Sequence, residues 1–142
     1  MNKLNKLVVV FCSILLFAGS SIAAASCKQA DAKGTWRVHG VVWDVFGVDE
    51  TESFKCKIKI GSSGGVSASK STCKVFTAGS VDVTGGNVVM ASNCAMTGKM
   101  ITVAGTIKFR SGQMDRSKNS FTAVGVDSLE DDLEYFISGI RQ

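Results

Sequence analysis

The stretch Ser53 to Thr77, SFKCKIKIGSSGGVSASKSTCKVFT, decides the fold of this chain. Phe54, Cys56, Ile58 and Ile60 alternate with Lys55, Lys57 and Lys59, the period of a strand with one buried and one wet face. Gly64-Gly65 is a two-residue turn signal, because primed hairpin turns need positive φ. With those glycines central, Cys56 lies opposite Cys73, Phe54 opposite Val75 and Ile58 opposite Ser71. Directly opposed strand residues have Cα atoms about 4.5–5.5 Å apart, within the reach of a disulfide. The register therefore predicts Cys56–Cys73. It also sets Ser69 against Ile60 and Lys59 against Lys70, two poor pairs. A bulge among Gly61 to Gly65 would shift it.

The other cysteines follow by elimination and compartment. Lys3 and Lys6, the apolar run Leu7 to Phe17 and Ala23-Ala24-Ala25 read as a secretory signal peptide, cleaved after Ala25. The apolar run is about half the roughly 20 residues a membrane span needs. Cys12 leaves with the signal, so Cys27, Cys56, Cys73 and Cys94 remain, an even set for two bridges in an exported protein. Cys56–Cys73 leaves Cys27–Cys94. Lipid anchoring at Cys27 is the alternative. Ala24 departs from the branched residue a lipobox wants, and lipidation would leave one thiol without a partner. The expected products are a signal peptide, 1–25, and a single disulfide-bonded β domain, 26–142, periplasmic or secreted.

The mature part is one domain of 117 residues (142 − 25), with no proline to interrupt a ladder. With Lys3 and Lys6 gone, 14 basic residues face 12 acids, a net charge of +2. That balance names no partner and does not suggest a nucleic-acid binder. The lysines of the organising hairpin read as a solvated strand face.

Outward from that hairpin the pattern repeats. Trp36, Val38, Gly40 and Val42 share one face of a first strand, and Arg37, His39, Val41 and Trp43 the other, with Val45 and Phe46 extending it into an acidic turn at 47–52. Gly85-Gly86 reads as a second hairpin turn, pairing Val81 with Met90 and Val83 with Val88. Gly98-Lys99 reads as a third, setting Cys94 and Met96 against Val103 and Ile101 in a long strand from Met100 towards Met114. Asp115 to Asn119 is a charged turn, and 121–126 is another strand. The last element, 129–140, has both helical spacing and strand-forming Tyr135-Phe136-Ile137; strand is preferred, for a total of about eight.

Eight antiparallel strands in meander order predict an up-and-down β-barrel, with a β-sandwich, or seven strands plus a C-terminal helix, as alternatives. Gly34-Thr35-Trp36 resembles the Gly-x-Trp that opens the first strand of the calycin superfamily, the lipocalins and avidins. In that family an arginine from late in the chain packs over the tryptophan, and the resemblance implies Arg141 for that role. The second lipocalin motif, Thr-Asp-Tyr, is missing.

Catalytic chemistry finds little footing. His39 is the one histidine and has no nucleophile tied to it. Asp127, Glu130, Asp131 and Asp132 lack calcium-loop spacing, and Met90, Met96 and Met100 fall on hairpin faces that read as core. The glycine pairs open no helix, so they cradle no phosphate. No cofactor, metal or catalytic residue is expected. The expected function is an exported, non-enzymatic binding protein for a small apolar ligand or a surface partner, with Trp36, Trp43, Phe46 and Phe54 as candidate contacts. The alternative is an inhibitor or effector acting through loops such as Asp115 to Asn119.

Overall fold

A computed structural model describes residues 26–44, 52–128 and 133–142. The signal-peptide reading, Phe46 and most of the two acidic loops lie outside these residues. The strands are β1 (Gly34–Asp44), β2 (Glu52–Ile60), β3 (Thr72–Val75), β4 (Gly79–Met90), β5 (Ala95–Thr102), β6 (Thr106–Met114), β7 (Ser120–Asp127) and β8 (Leu133–Arg141). Each pairs antiparallel with its sequence neighbour, and β8 returns to β1 with Trp36 opposite Arg141 and Val41 opposite Phe136. The barrel is closed, which removes the sandwich alternative and leaves no free sheet edge among the described residues. The last element is a strand, Leu133–Arg141, and not a helix.

The disulfides are the one the register implies and the one left by elimination. Cys56 pairs with Cys73 and Phe54 with Val75 in the β2–β3 ladder, and both Cys56–Cys73 and Cys27–Cys94 are formed. The turn between them is built differently from a two-residue Gly64-Gly65 hairpin. Ile60 bridges Val66, Gly61 N–H donates to the Gly65 carbonyl (2.9 Å), and Gly65 bridges Asn87 of β4. A 3-10 turn at Ala68–Lys70 then carries three extra residues out of the sheet, so the register at the cysteines is recovered. This replaces the poor pairs: Ile60 meets Val66 instead of Ser69, and Lys59 N–H donates to the Ser71 hydroxyl (3.0 Å).

Two expected turns are corrected. Gly85-Gly86 lies inside β4 and Gly98 inside β5, so neither pair reverses the chain. Reversals occur at 91–94 and 103–105 instead, and Met90 opposes Met96 while Gly98 opposes Val88. The long strand expected from Met100 is split at 103–105 into β5 and β6. Each expected turn is displaced by several residues, and the strand count is still eight. The glycines serve close backbone approach. A Cβ on Gly86 would sit 2.3 Å from the Lys99 carbonyl oxygen, and one on Gly98 2.1 Å from that of Asn87. Ladder shifts at Val83/Gly85 and Met96/Gly98 mark where the sheet coils to close.

Inward-facing residues of all eight strands make one core, including Trp36, Ile58, Met96, Met100, Met114, Phe121 and Ile137. One end of the barrel is closed by the segment before β1. Cys27 is tied to Cys94, Trp36 Nε1 donates to the Ala32 carbonyl (2.9 Å), and the Gln29 side chain bonds Val88 O and Met90 N. Lys118 pairs with Asp31 at 2.7 Å, joining this plug to the β6–β7 turn.

Candidate functional site

Alternation along β1 decides where its two tryptophans go. Trp36 faces inward, is 1 % exposed, and meets Phe121 edge-on with centroids 5.2 Å apart. Arg141 stacks over it, its Cζ 4.8 Å from the ring centroid. Trp43 faces outward and is 57 % exposed. Phe54 is buried, filling the space left by Gly40 and meeting the Tyr135 ring edge-on. The candidate contacts Trp36, Trp43 and Phe54 therefore do not share a surface, and Phe46 lies outside the described residues.

The bore is filled. The cavity among Trp36, Ile58, Val88, Met96, Met100 and Phe121 is about 30 Å³, room for a water molecule and far below the roughly 300–1,000 Å³ of usual small-molecule pockets. Large side chains from both ends of the sequence meet there and fill the middle of the eight-stranded bore. At the end opposite the plug is a mouth of about 170 Å³ among Val42, Phe54, Met100, Ile107 and Tyr135. Asp127 is buried at this mouth, 3.4 Å from the Tyr135 hydroxyl.

The larger concavity is on the outer wall. A groove of about 850 Å³ runs over β2, β1, β8, β7 and β6. Its centre is set by register: Ser53, Val41, Phe136, Val124 and Ser111 stand side by side across five strands. Val41 and Phe136 are exposed there. The next row is polar, with Lys55, His39, Ser138, Thr122 and Gln113. An apolar strip rimmed by hydroxyls, an amide, one imidazole and the Lys55 ammonium can hold a partner by contact and hydrogen bonds. No sequence motif marks it, because alternation says only that these side chains point outward. The strip is assembled by strand register, and β1 meets β8 from the far end of the chain.

The Asp115 to Asn119 turn is well ordered by its own carboxylate. Asp115 accepts from Asn119 N–H (2.9 Å), Ser120 N–H (3.0 Å) and the Ser117 hydroxyl. These bonds, the Ser117 hydroxyl first, hold its pKa below the usual range. Asp31 is likewise lowered, first by the Lys118 ammonium and then by the Lys28 N–H. Both carboxylates act in local structure, at the plugged end. Among the described residues, no group of three or more His, Cys, Asp or Glu side chains is placed to hold a metal ion. Nor is any helix among them long and apolar enough to cross a membrane.

No family model and no curated protein matches the chain. A solved structure of a redesigned beta barrel is similar in fold, with a TM-score of 0.51 and 17 % identity, covering 87 % of this chain and 99 % of that one. At that identity the likeness concerns architecture alone, and it agrees with a closed eight-stranded antiparallel meander.

Proposed function

We propose that this chain is an exported, non-enzymatic β-barrel binding protein that recognises a surface partner through the outer groove over β1, β8 and β7. The observation that carries the reading is the contrast in space: about 30 Å³ inside the bore against about 850 Å³ in the groove outside it. Two disulfides are compatible with export, and cleavage after Ala25 would release the chain just before Cys27. The Arg141–Trp36 stack supports a calycin-like barrel whose bore is packed.

A photo-crosslinking residue at Phe136 tests this reading in the producing cell. A discrete adduct at Phe136 that is absent when the probe replaces Lys99, on β5, supports groove recognition. Equal labelling at both positions, or none at Phe136, counts against it.

A second reading has one observation in its favour. The mouth of about 170 Å³, with apolar walls and Asp127 beside Tyr135, suits a small apolar or amphipathic ligand. Substitution of Val81 by Trp would fill that mouth and abolish such binding, while groove recognition would persist.

A further inference from the structure

The wall formed by β1, β2 and β3 carries a different chemistry from the groove. Directly opposed residues of an antiparallel pair point to the same face. Arg37 stands opposite Lys57, His39 opposite Lys55, and Lys55 opposite Lys74. All five side chains are exposed. Lys59 continues the stripe towards the plug, opposite Thr35. Like charges directly opposed across strands destabilise a sheet unless a counter-charge lies over them. Among the described residues none of these cations is paired with a carboxylate; Arg37 lies against the side-chain amide of Gln142. Among the described residues, Asp82 opposes Thr72 on the β4 side, Glu134 opposes Trp43 on the β8 side, and Glu52 lies on β2 at the mouth, so these acids border the cationic rows. Between the cations is a shallow depression of about 440 Å³, with Ser80 at its edge and the Cys56–Cys73 disulfide beneath.

The same wall ends in exposed aromatics at the rim. Trp43 follows Arg37, His39 and Val41 on the outer face of β1. Phe76 follows Lys74 at the top of β3, bonds Ser53 of β2 through its N–H (2.9 Å), and is 86 % exposed. Cations therefore fill the middle rows and the two aromatics lie beyond them, towards the open end.

We propose that this wall docks on an anionic lipid surface, with Arg37, Lys55, Lys57 and Lys74 on the headgroup phosphates and Trp43 and Phe76 in the interfacial layer. Two features favour this occupant. The cations are spread over a sheet, about 7 Å apart along a strand and about 5 Å across it, which suits many separate phosphates better than one small anion. The aromatics are gathered at one end instead of interleaved with the cations, as successive bases on a nucleic-acid strand would require. Tryptophan favours the membrane–water interface, where its ring is apolar and its N–H stays wet. This wall adjoins the groove and shares His39 and Lys55 with its edge, whereas Arg37, Lys57, Lys74, Trp43 and Phe76 lie outside the groove.

The test is sedimentation of the disulfide-bonded mature chain with vesicles of phosphatidylcholine alone or mixed with phosphatidylglycerol. Tryptophan emission is followed in parallel. Trp36 is buried in the core, so a change on binding reports Trp43. The expected result is salt-sensitive binding to the phosphatidylglycerol vesicles alone, with a blue shift that is lost in Trp43→Phe. Replacing Lys55, Lys57 and Lys74 by Ala should weaken binding about fivefold per lysine. Phe76→Ser should weaken it further, and Lys99→Ala with Lys108→Ala, on β5 and β6, should leave it unchanged. Equal binding to both vesicle types, no binding, or binding to heparin or single-stranded DNA without a Trp43 shift would overturn the proposal.

Discussion

Arg141 lies over the indole of Trp36, 4.8 Å from guanidinium carbon to ring centroid, and so joins the last strand to the first. The same guanidinium donates to the Asp31 carbonyl, and the indole N–H donates to the Ala32 carbonyl (2.9 Å). Plug, β1 and β8 are thus fastened at one point. Replacing Arg141 by Met keeps much of the packing and removes the charge and the donors. It should lower stability by about 2–5 kcal/mol, the sum expected of a partly desolvated cation–π contact and one hydrogen bond to a charged group. Urea unfolding followed by circular dichroism measures this. A loss below a few tenths would mean the closure does not depend on Arg141.

The two disulfides should not be equal. Cys27–Cys94 spans 67 residues and Cys56–Cys73 spans 17. Chain-entropy reasoning gives about 4 kcal/mol for the first and about 3 kcal/mol for the second. Double Ala variants of each pair, compared by urea midpoint, should rank in that order. Cys27/Cys94 has the added consequence of releasing the plug.

Acid should loosen the plugged end first. The ion pair with Lys118 is the main reason that Asp31 has a lowered pKa in the fold. A lowered folded value means its contribution is present in full above the ordinary value of 3.8 and is lost as pH falls through the folded one. Asp31→Asn should therefore be less stable than the parent at neutral pH and equal to it at strongly acid pH. Urea unfolding at both pH values makes the comparison. A gap that persists in acid would assign the loss to something other than this carboxylate's charge.

Gly98 tests the reason for the displaced turns. Ala at this position would set its Cβ against the Asn87 carbonyl oxygen, at a φ of 137°. The expected cost is about 1–3 kcal/mol or more. Gly65→Ala, whose Cβ would meet only the Ser63 hydroxyl at 4.0 Å, should be tolerated. If Gly98→Ala is tolerated equally well, the bend in β5 is not what the glycine is for.

Much of the fold was legible because alternation is local. The pairing of Cys56 with Cys73 and the two faces of β1 follow from period-two patterns, Cys27–Cys94 then follows by elimination, and the strand at Leu133–Arg141 follows from its strand-forming Tyr135-Phe136-Ile137. The turns at Gly85-Gly86 and Gly98-Lys99 were misread because a glycine required by a hairpin looks the same as one required by a neighbouring carbonyl. That neighbour is set by barrel closure, a tertiary property. The reversal at 91–94 carried its own signal in Ser92-Asn93. Asn93 accepts from Ala95 N–H (3.0 Å), and Cys94 takes a φ of 67°. The outer groove was not legible at all. His39, Val41, Val124 and Phe136 lie on three strands, and register alone brings them together.

The barrel is filled among Trp36, Met96, Met100 and Phe121, and the proposed recognition takes place on its outer wall. Native mass spectrometry of the mature chain, purified without denaturant from its own host, tests it most directly. The expected mass is that of the bare polypeptide from Ser26, lighter by four hydrogens, two for each disulfide. A stoichiometric small molecule, retained in the native spectrum and lost on denaturation, would contradict it.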